Sequence, residues 1–559
     1  MNRKLLFFLL LFPNILFART FYVSSSYTGS VSNGAFATPW KSLANVQSNM
    51  ATFISGDTIS FKAGDIFAGT LNITKSGVSG NPIVFNSYGV GAKPRLIGTG
   101  VAIDYLIQSN NNYLVVDGFQ VIDTALTDTG RREIAHIRRA ITFRGTYCIA
   151  KNNEISRAGI GIYISQGSYA TIDSNVVHHL KMIVNDTILP DNDYGGAPIW
   201  LAGNNNTVTN NTCYSCWAIS YDYGTDGGGF EFFDEGIGAK NNYMAYNTMY
   251  ENNGLVETSY TGACDSNTFV YNKFINNGNV VYLQDSCFGW KFYNNVIVEN
   301  LALQGAVTAP LFSGRGGYMS QIELRNNIFQ KSTSFSVVNT ARFFSFTHTN
   351  NIYKLSGTAT LGFTLGTAEI STAAVIWIST IGLPQVWDYH LISGSPAINA
   401  GINVGLTRDF GNNVVSNPPD AGIYEVIAVP ILSSITTTSP TSITSTSANG
   451  TGNITSDGGA IVYRRGIVYG TSSLTDTTSG TKIVDASIGT GSFSLSMIPL
   501  VSNTTYYVMA FAVNSVGVSY GGNLTFRTLS PPLVPVIPTI ATSPATSITT
   551  SSAISGGNV

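Results

Sequence analysis

Charge is scarce in this 559-residue chain. Asp, Glu, Lys and Arg together make up 11% of it, and the formal net charge is −2. So even a balance gives nucleic acid or an anionic membrane surface no electrostatic reason to bind. Cysteine is scarcer still. Cys148, Cys213, Cys216, Cys264 and Cys287 are odd in number and unevenly spaced, which excludes a disulfide framework. Cys213 and Cys216 have CxxC spacing, but no second pair or nearby His completes a zinc site. The five are expected to fill apolar space, with one bridge open to them. Long apolar runs are missing after the first stretch, MNRKLLFFLLLFPNILFA (residues 1–18). Arg3 and Lys4 precede its apolar core, and Pro13 interrupts it, so it reads as an export signal rather than a membrane span. The expectation is a protein that is secreted or held at the cell surface, with no integral membrane segment once the signal is cut.

What the chain has instead is 57 Gly, abundant Asn, Ser and Thr, and 44% hydrophobic residues. That mixture suits many short strands joined by tight turns. The length calls for two or more units. Through the middle of the chain one pattern recurs: an apolar residue, two residues, Asn, one residue, another apolar residue. TIDSNVV centres on Asn175, TVTNNTC on Asn211, YMAYNTM on Asn247, TFVYNKF on Asn272, KFYNNVI on Asn295 and ELRNNIF on Asn327, with looser copies at Asn153 and Asn351. The successive spacings of 22, 36, 36, 25, 23, 32 and 24 residues describe a base period with insertions, the mark of a solenoid. The flanking segments alternate and are too short for helices, so each repeat should be one coil of a parallel β-helix. An inward Asn at each turn would satisfy amides that are costly to bury bare.

On these residues the chain resembles the right-handed parallel β-helix family of pectin-lyase-like architecture, in its secreted Bacteroidota form. The opening FYVSSS…TPWKSLANV…GDTISFKAGDIFAGTL is similar to the usual start of such domains, with a short capping helix implied over residues 40–46. LISGSPAINAG…PPDAGIYE (residues 391–425) is similar to their closing segment. The resemblance spans residues 20–427 and implies an all-β solenoid, a fold that hosts lyases, hydrolases and adhesins alike. A Ser/Thr/Pro-rich linker is expected at 428–435. Residues 436–528 then resemble a fibronectin-type-III-like sandwich, with Leu500, Thr505 and Tyr507 at the place of that family's tyrosine corner. The tail, residues 529–559, holds a linker and a repeat of the module's first strands, read as a truncated second copy.

Against this sparing background, DYGTDGGGFEFFDE (residues 222–235) packs five carboxylates into fourteen residues. GGFE, ending at Glu231, and GLVE, ending at Glu257, share the form Gly-x-x-Glu and lie 26 residues apart, close to one coil. The two glutamates should therefore stand on adjacent coils, about 5 Å apart. Asp226 and Asn252, also 26 apart, should stack as well, and Asp222 lies just upstream. Alternation turns Phe230 and Phe232 into the core and Glu231 outward. Carboxylates that close repel unless one is protonated or a cation intervenes, which favours function over a solvated acidic face. Glu231, Glu257, Asp226 and Asp222 are the candidate catalytic groups, with Tyr221, Tyr223, Trp217, Tyr260 and Arg157 as candidate substrate contacts, since aromatic platforms beside acids suit sugar rings. Paired carboxylates at this separation suit glycoside hydrolysis. A polysaccharide lyase would instead use Ca²⁺ on the acids to neutralise a uronate, with Tyr221, Lys181 or an Arg as base. The Asn-Lys-Ser and Arg-His-Gly segments of alginate and chondroitin lyases of this fold are absent, as are the Asn-Thr-Asp, Asp-Asp and Gly-His-Gly signatures of polygalacturonases. The third option is a non-catalytic adhesin or glycan-binding protein. In each case the partner is polysaccharide and the protein is expected to be a monomer. The Arg-rich run RREIAHIRRAITFR (residues 131–144) is either a subsite for anionic sugar or a solvated edge.

Overall fold

The computed structural model describes residues 17–98, 100–190, 192–233, 238–258, 264–300, 310–315, 320–332, 334–374, 376–426, 430–533 and 535–558. The export signal therefore lies outside the described residues except at its last two positions. The chain forms two compact units, Met1–Val426 and Ile427–Val559.

In the first unit the chain winds through three long parallel sheets in turn. One coil runs through Thr171–Asp173 in a first sheet of twelve strands, Val176–His178 in a second of twelve, and Ala197–Ala202 in a third of nine. Like positions stack from coil to coil: Ile172 pairs with Ala150 on one side and Val208 on the other. The side chains that point inward, such as Ile172, Val177, Ile199 and Leu201, are completely buried and form one continuous core. A short helix, Leu43–Asn49, packs Leu43 and Val46 over one end. It begins three residues later than the sequence suggested. Trp40, after Pro39, stays extended, bridges to Val23 and stacks on Phe21 at 4.9 Å, while the Ser42 hydroxyl caps the helix by accepting the Asn45 amide.

The repeated asparagines are internal. Asn153, Asn175, Asn211, Asn247, Asn272, Asn295, Asn327 and Asn351 are all 0% exposed, each at the corner between the first and second sheets. The residue before each is in the left-handed region, from Asn152 (φ 53°) through Tyr246 (φ 60°) to Asn350 (φ 57°). That kink points the next side chain inward. Asn247 shows the pattern: its amide N–H and its Nδ2 both donate to Asn272 Oδ1 at 3.0 Å, and Nδ2 also donates to Val208 O at 2.9 Å. The ladder ends where Asn351 Nδ2 donates to the buried carboxylate of Glu369. Shorter ladders run through Asn206, Asn242 and Asn267 and through Asn252 and Asn277 at the other corners. All five cysteines are buried and unbridged. Among the described residues no helix is long and apolar enough to cross a membrane.

Residues 384–425 run along the side of the stack. Asn294 donates to Asp420 O and Gly422 O, Asn326 to Ile402 O and Asn350 to Ala400 O. The kinked residues beside the main ladder thus hold the closing segment in place.

Among its described residues the second unit has, besides a two-stranded antiparallel sheet in the tail, antiparallel sheets of three and five strands. Ile435, Ile454, Phe493 and Met497 from one meet Ile467, Tyr506, Val508 and Phe526 from the other in a single core. Tyr506, rather than Tyr507, takes the corner position: it is buried, and its hydroxyl accepts the Val501 amide at 2.9 Å. Strand alternation from Thr505 puts even-numbered residues inside, which the sequence reading missed by one. In the tail, Ala541–Thr546 pairs with Ile554–Asn558, as Ser434–Thr441 pairs with Ala448–Ser456.

Replacing Asn247 or Asn272 with Ala strips the partner from a buried amide and breaks the ladder on both sides. Each change should lower stability by about 1–3 kcal/mol per amide left bare. Denaturant unfolding of the variants checks this, and a change near zero would contradict the ladder's role.

Candidate functional site

The outward face of the third sheet carries a column of stacked side chains. Tyr163 pairs with Trp200, Trp200 with Glu231, Glu231 with Glu257 and Glu257 with Tyr282 on successive strands. Paired positions on adjacent strands are about 4.8 Å apart. Phe230 and Phe232 on either side of Glu231 are completely buried in the core, so alternation drives Glu231 outward. Two insertions wall this face. The coil after Asn175 adds a hairpin in which Met182–Val184 pairs with Tyr194–Gly195, and Ile183 packs with Ile160 and Tyr163. The coil after Asn211 adds the loop that brings in Asp226, whose backbone pairs with Ala218. They wall one side of an open cavity of about 510 Å³.

Four carboxylates line the cavity: Asp193, Asp226, Glu231 and Glu257. No Lys, Arg or His is among its described lining residues, while Tyr194, Trp200, Tyr223, Phe233 and Tyr282 are. Burial, then the charges of Glu257 and Asp226, push the Glu231 carboxyl well above its ordinary range. Burial and the Glu257 charge raise Asp226 to about 8. Burial raises Glu257 to about 7, opposed by Gln284, whose Nε2 donates to its Oε1. Asp193 differs. Burial works against its ionisation, but the Ser220 hydroxyl and the Tyr221 and Asp222 amides donate to it and hold its carboxyl low. It is a fixed anion that braces the wall.

The two Gly-x-x-Glu segments have a steric reason. A Cβ on Gly228 would stand 2.7 Å from Glu231 Oε1, and one on Gly254 would stand 2.8 Å from Asn279 Oδ1. Each glycine leaves room for a polar group of the site. Three polar atoms of the lining are buried with no hydrogen-bond partner: Asn192 Oδ1, Asn279 Oδ1 and Trp200 Nε1.

Of the residues proposed from sequence, Glu231, Glu257, Asp226 and Tyr223 line the cavity. Asp222 does not. Its carboxylate accepts the Asn192 and Asp193 amides and fastens the hairpin from outside. Tyr221 lies under Arg132, Trp217 is covered by Arg131 at 4.1 Å, and Arg157 pairs with Asp128, all outside the lining. Tyr260 and the last two acids of the block, Asp234 and Glu235, lie outside the described residues. Lys181 is also elsewhere, buried and donating to Thr127 O and Gly130 O. Asn252 does not stack on Asp226. It is interior and accepts the Cys216 amide, because the inserted loop after Cys216 displaces the 26-residue count until Gly228. Asp193, Asn279, Tyr282 and Gln284 were missing from the sequence-based set, and Trp200, though one of the aromatics around the block, was not among its candidate contacts. Tyr282 was findable: it follows Glu257 by 25 residues, the same step as Asn247 to Asn272.

The three parallel sheets define a β-helix protein, and a family model described as a right handed beta helix region matches residues 140–352. No curated protein matches the chain. Among solved structures it is similar to an alginate lyase from a Paenibacillus species, at 11% identity and a TM-score of 0.37 over 61% of this chain and 99% of that one. It is similar to a mannuronic acid specific polysaccharide family 6 lyase from human gut microbiota, at 13% identity and 0.38 over 66% and 89%. It is also similar to the Dettilon tailspike protein, at 10% identity and 0.36 over 88% and 93%. Likeness at this level carries no argument about chemistry, which has to come from the site.

The raised carboxyls make a prediction about stability. A carboxyl whose pKa is higher in the folded than in the unfolded state keeps its proton when the unfolded chain has lost it. Stability is then fullest below the unfolded value near 4 and falls as pH rises toward the folded value. Glu231→Gln should therefore stabilise the protein by at least about 1 kcal/mol at pH 8, with the gain shrinking toward pH 4. Melting temperatures of wild type and variant across that range test it. A pH-independent difference would mean that Glu231 is not held protonated.

Proposed function

We propose that the protein acts on polysaccharide and cleaves glycosidic bonds in the third-sheet cavity. The observation that carries this reading is Glu231 paired with Glu257 on adjacent strands, inside an aromatic-lined cavity and with no basic side chain among its described lining residues. A strand step of about 4.8 Å is near the carboxyl separation of about 5–5.5 Å used by retaining glycosidases. Glu231, kept protonated by burial and its acidic neighbours, is the general acid. It gives its proton to the glycosidic oxygen as the bond to the anomeric carbon breaks. Glu257, the lower of the two and steadied by Gln284, is the nucleophile that bonds that carbon. Water deprotonated by Glu231 then displaces Glu257 and restores both groups. Trp200, Tyr223 and Tyr282 are placed to stack on sugar rings.

One observation favours a second reading. Asn279 is 7% exposed and lines the cavity, and its Oδ1, like that of Asn192, is buried without a donor. Amide and carboxylate oxygens together make a donor set for a hard cation such as Ca²⁺. Glu231, Glu257 and Asn279 would hold it, and the ion would neutralise a uronate. The protein would then be a lyase whose base is a lining tyrosine, Tyr223 or Tyr282, rather than Tyr221, Lys181 or an Arg.

The discriminating experiment is a panel of neutral and acidic polysaccharides, read for new reducing ends and for the ultraviolet absorbance of unsaturated uronate. Hydrolysis gives the first without the second. Glu231→Gln and Glu257→Gln should each cut turnover by at least about 100-fold, and EDTA should leave the rate unchanged. Absorbance growth that EDTA abolishes supports the lyase. Binding with no turnover on any polymer supports the adhesin.

We further read the protein as exported and monomeric, with its second unit a fibronectin-type-III-like spacer. The Tyr506 hydroxyl on the Val501 amide supports the spacer. Limited proteolysis should cut near residue 430 before either flank, leaving a β-helix fragment that stays folded. A fragment that unfolds on release would overturn the separation.

A further inference from the structure

A second cluster of ligating side chains lies on the second-sheet side of the coil stack, and none of its residues lines the carboxylate cavity. We propose that Asp128, His178 and His179 form a binding site for a first-row divalent transition ion such as Zn²⁺.

One ligand atom from each residue lies within 4.8 Å of the other two. His178 ends the strand Val176–His178, where strand alternation turns its ring outward, stacked on Tyr214 at 4.9 Å. His179 occupies the left-handed corner that follows (φ 53°), which swings its ring across the same face. The two rings are perpendicular and their Nδ1 atoms are 2.8 Å apart. The three other histidines turn Nδ1 onto a carboxylate: His136 onto Asp123, His348 onto Glu369 and His390 onto Asp388. Only in this pair do two imidazole nitrogens converge on each other. Two nitrogens bound to one ion at about 2.0–2.1 Å stand about 2.9–3.4 Å apart, so the two rings need to part by only a few tenths of an ångström, while the Asp128 carboxylate closes in from within 4.8 Å.

The surroundings orient the two imidazoles. The Glu154 carboxylate lies 4.0 Å from His178 Nε2, which favours the proton there and leaves the lone pair on Nδ1. The loop that carries Asp128 is braced before any ion arrives. Arg157 Nε donates to Asp128 Oδ1 at 2.8 Å, and Glu133 accepts the Thr127 amide. The nearby cations are committed: Lys181 to Thr127 O, Gly130 O and Glu133, and Arg131 to Ser215 O and Trp217 O. Two imidazoles and one carboxylate are a borderline donor set that favours Zn²⁺ or Co²⁺ over Ca²⁺ or Mg²⁺. Three protein ligands leave a position for water. A bound ion would pin the 126–133 loop to the coil stack.

The test is titration of the full, untagged chain with ZnCl₂ and separately with CoCl₂, after EDTA treatment and dialysis. Calorimetry should give one saturable Zn²⁺ site with a rise in melting temperature. Co²⁺ should develop visible d–d bands that Zn²⁺ bleaches. His178→Ala and Asp128→Asn should each weaken uptake by at least about tenfold, the low end of what even outer ligand partners cost. His136→Gln, at a histidine outside the cluster, should not. If His178→Ala fails to fold, Asp128→Asn decides. No saturable uptake of either ion, or equal uptake by wild type and both variants, overturns the site.

Discussion

Everything in the solenoid depends on the turn amides of each coil finding partners inside a dry core. Eight asparagines meet that need in one continuous column: Asn153 accepts the Phe119 amide, and each of the seven after it accepts a backbone and a side-chain N–H from the asparagine of the coil before. Because the column fixes the corner between the first and second sheets, coils of 22 and of 36 residues can stack in register. The extra length is forced outward elsewhere, over the third sheet. The ladder is thus also why the chain can afford a walled cavity.

That cavity inverts the logic of the rest of the molecule. Elsewhere a chain that uses charge sparingly sets acids against bases: Arg19 with Asp57, Arg157 with Asp128 and the buried Lys181 with Glu133. At Glu231, Glu257 and Asp226 it leaves carboxyls together with no cation among the described lining residues. Under the proposed hydrolysis, the same burial that raises their proton affinity would equip one of them to act as an acid at neutral pH. Asp193 and Asp222, spent on backbone amides, keep the wall rigid around them. Trp200, packed against Phe233 at 4.5 Å, and Tyr282 extend the acid column in both directions.

The fold was legible because its signal is periodic. The asparagine spacing marks the coils, and strand alternation placed Phe230 and Phe232 inside and Glu231 outside. The Gly-x-x-Glu repeat put Glu231 beside Glu257 through a count of one coil. The same count failed at Asp226 and Asn252, because an insertion lies inside the interval. Aromatic residues close to the block in sequence misled for a related reason. Trp217 and Tyr221 sit in that inserted loop and turn toward Arg131 and Arg132, while Trp200 and Tyr282, one coil away on either side, face the acids.

The coil period, the inward asparagines and the adjacency of two glutamates can be read from the chain alone, because they follow from local alternation repeated at a nearly regular interval. That Asp193 and Asn279 join the site, that Asp222 braces it from outside, and that His178 and His179 converge beside Asp128 emerges from the folded molecule. Those groupings bring together side chains from inserted segments and separate coils. Their positions depend on where each insertion folds back onto the stack, and no spacing in the chain encodes that.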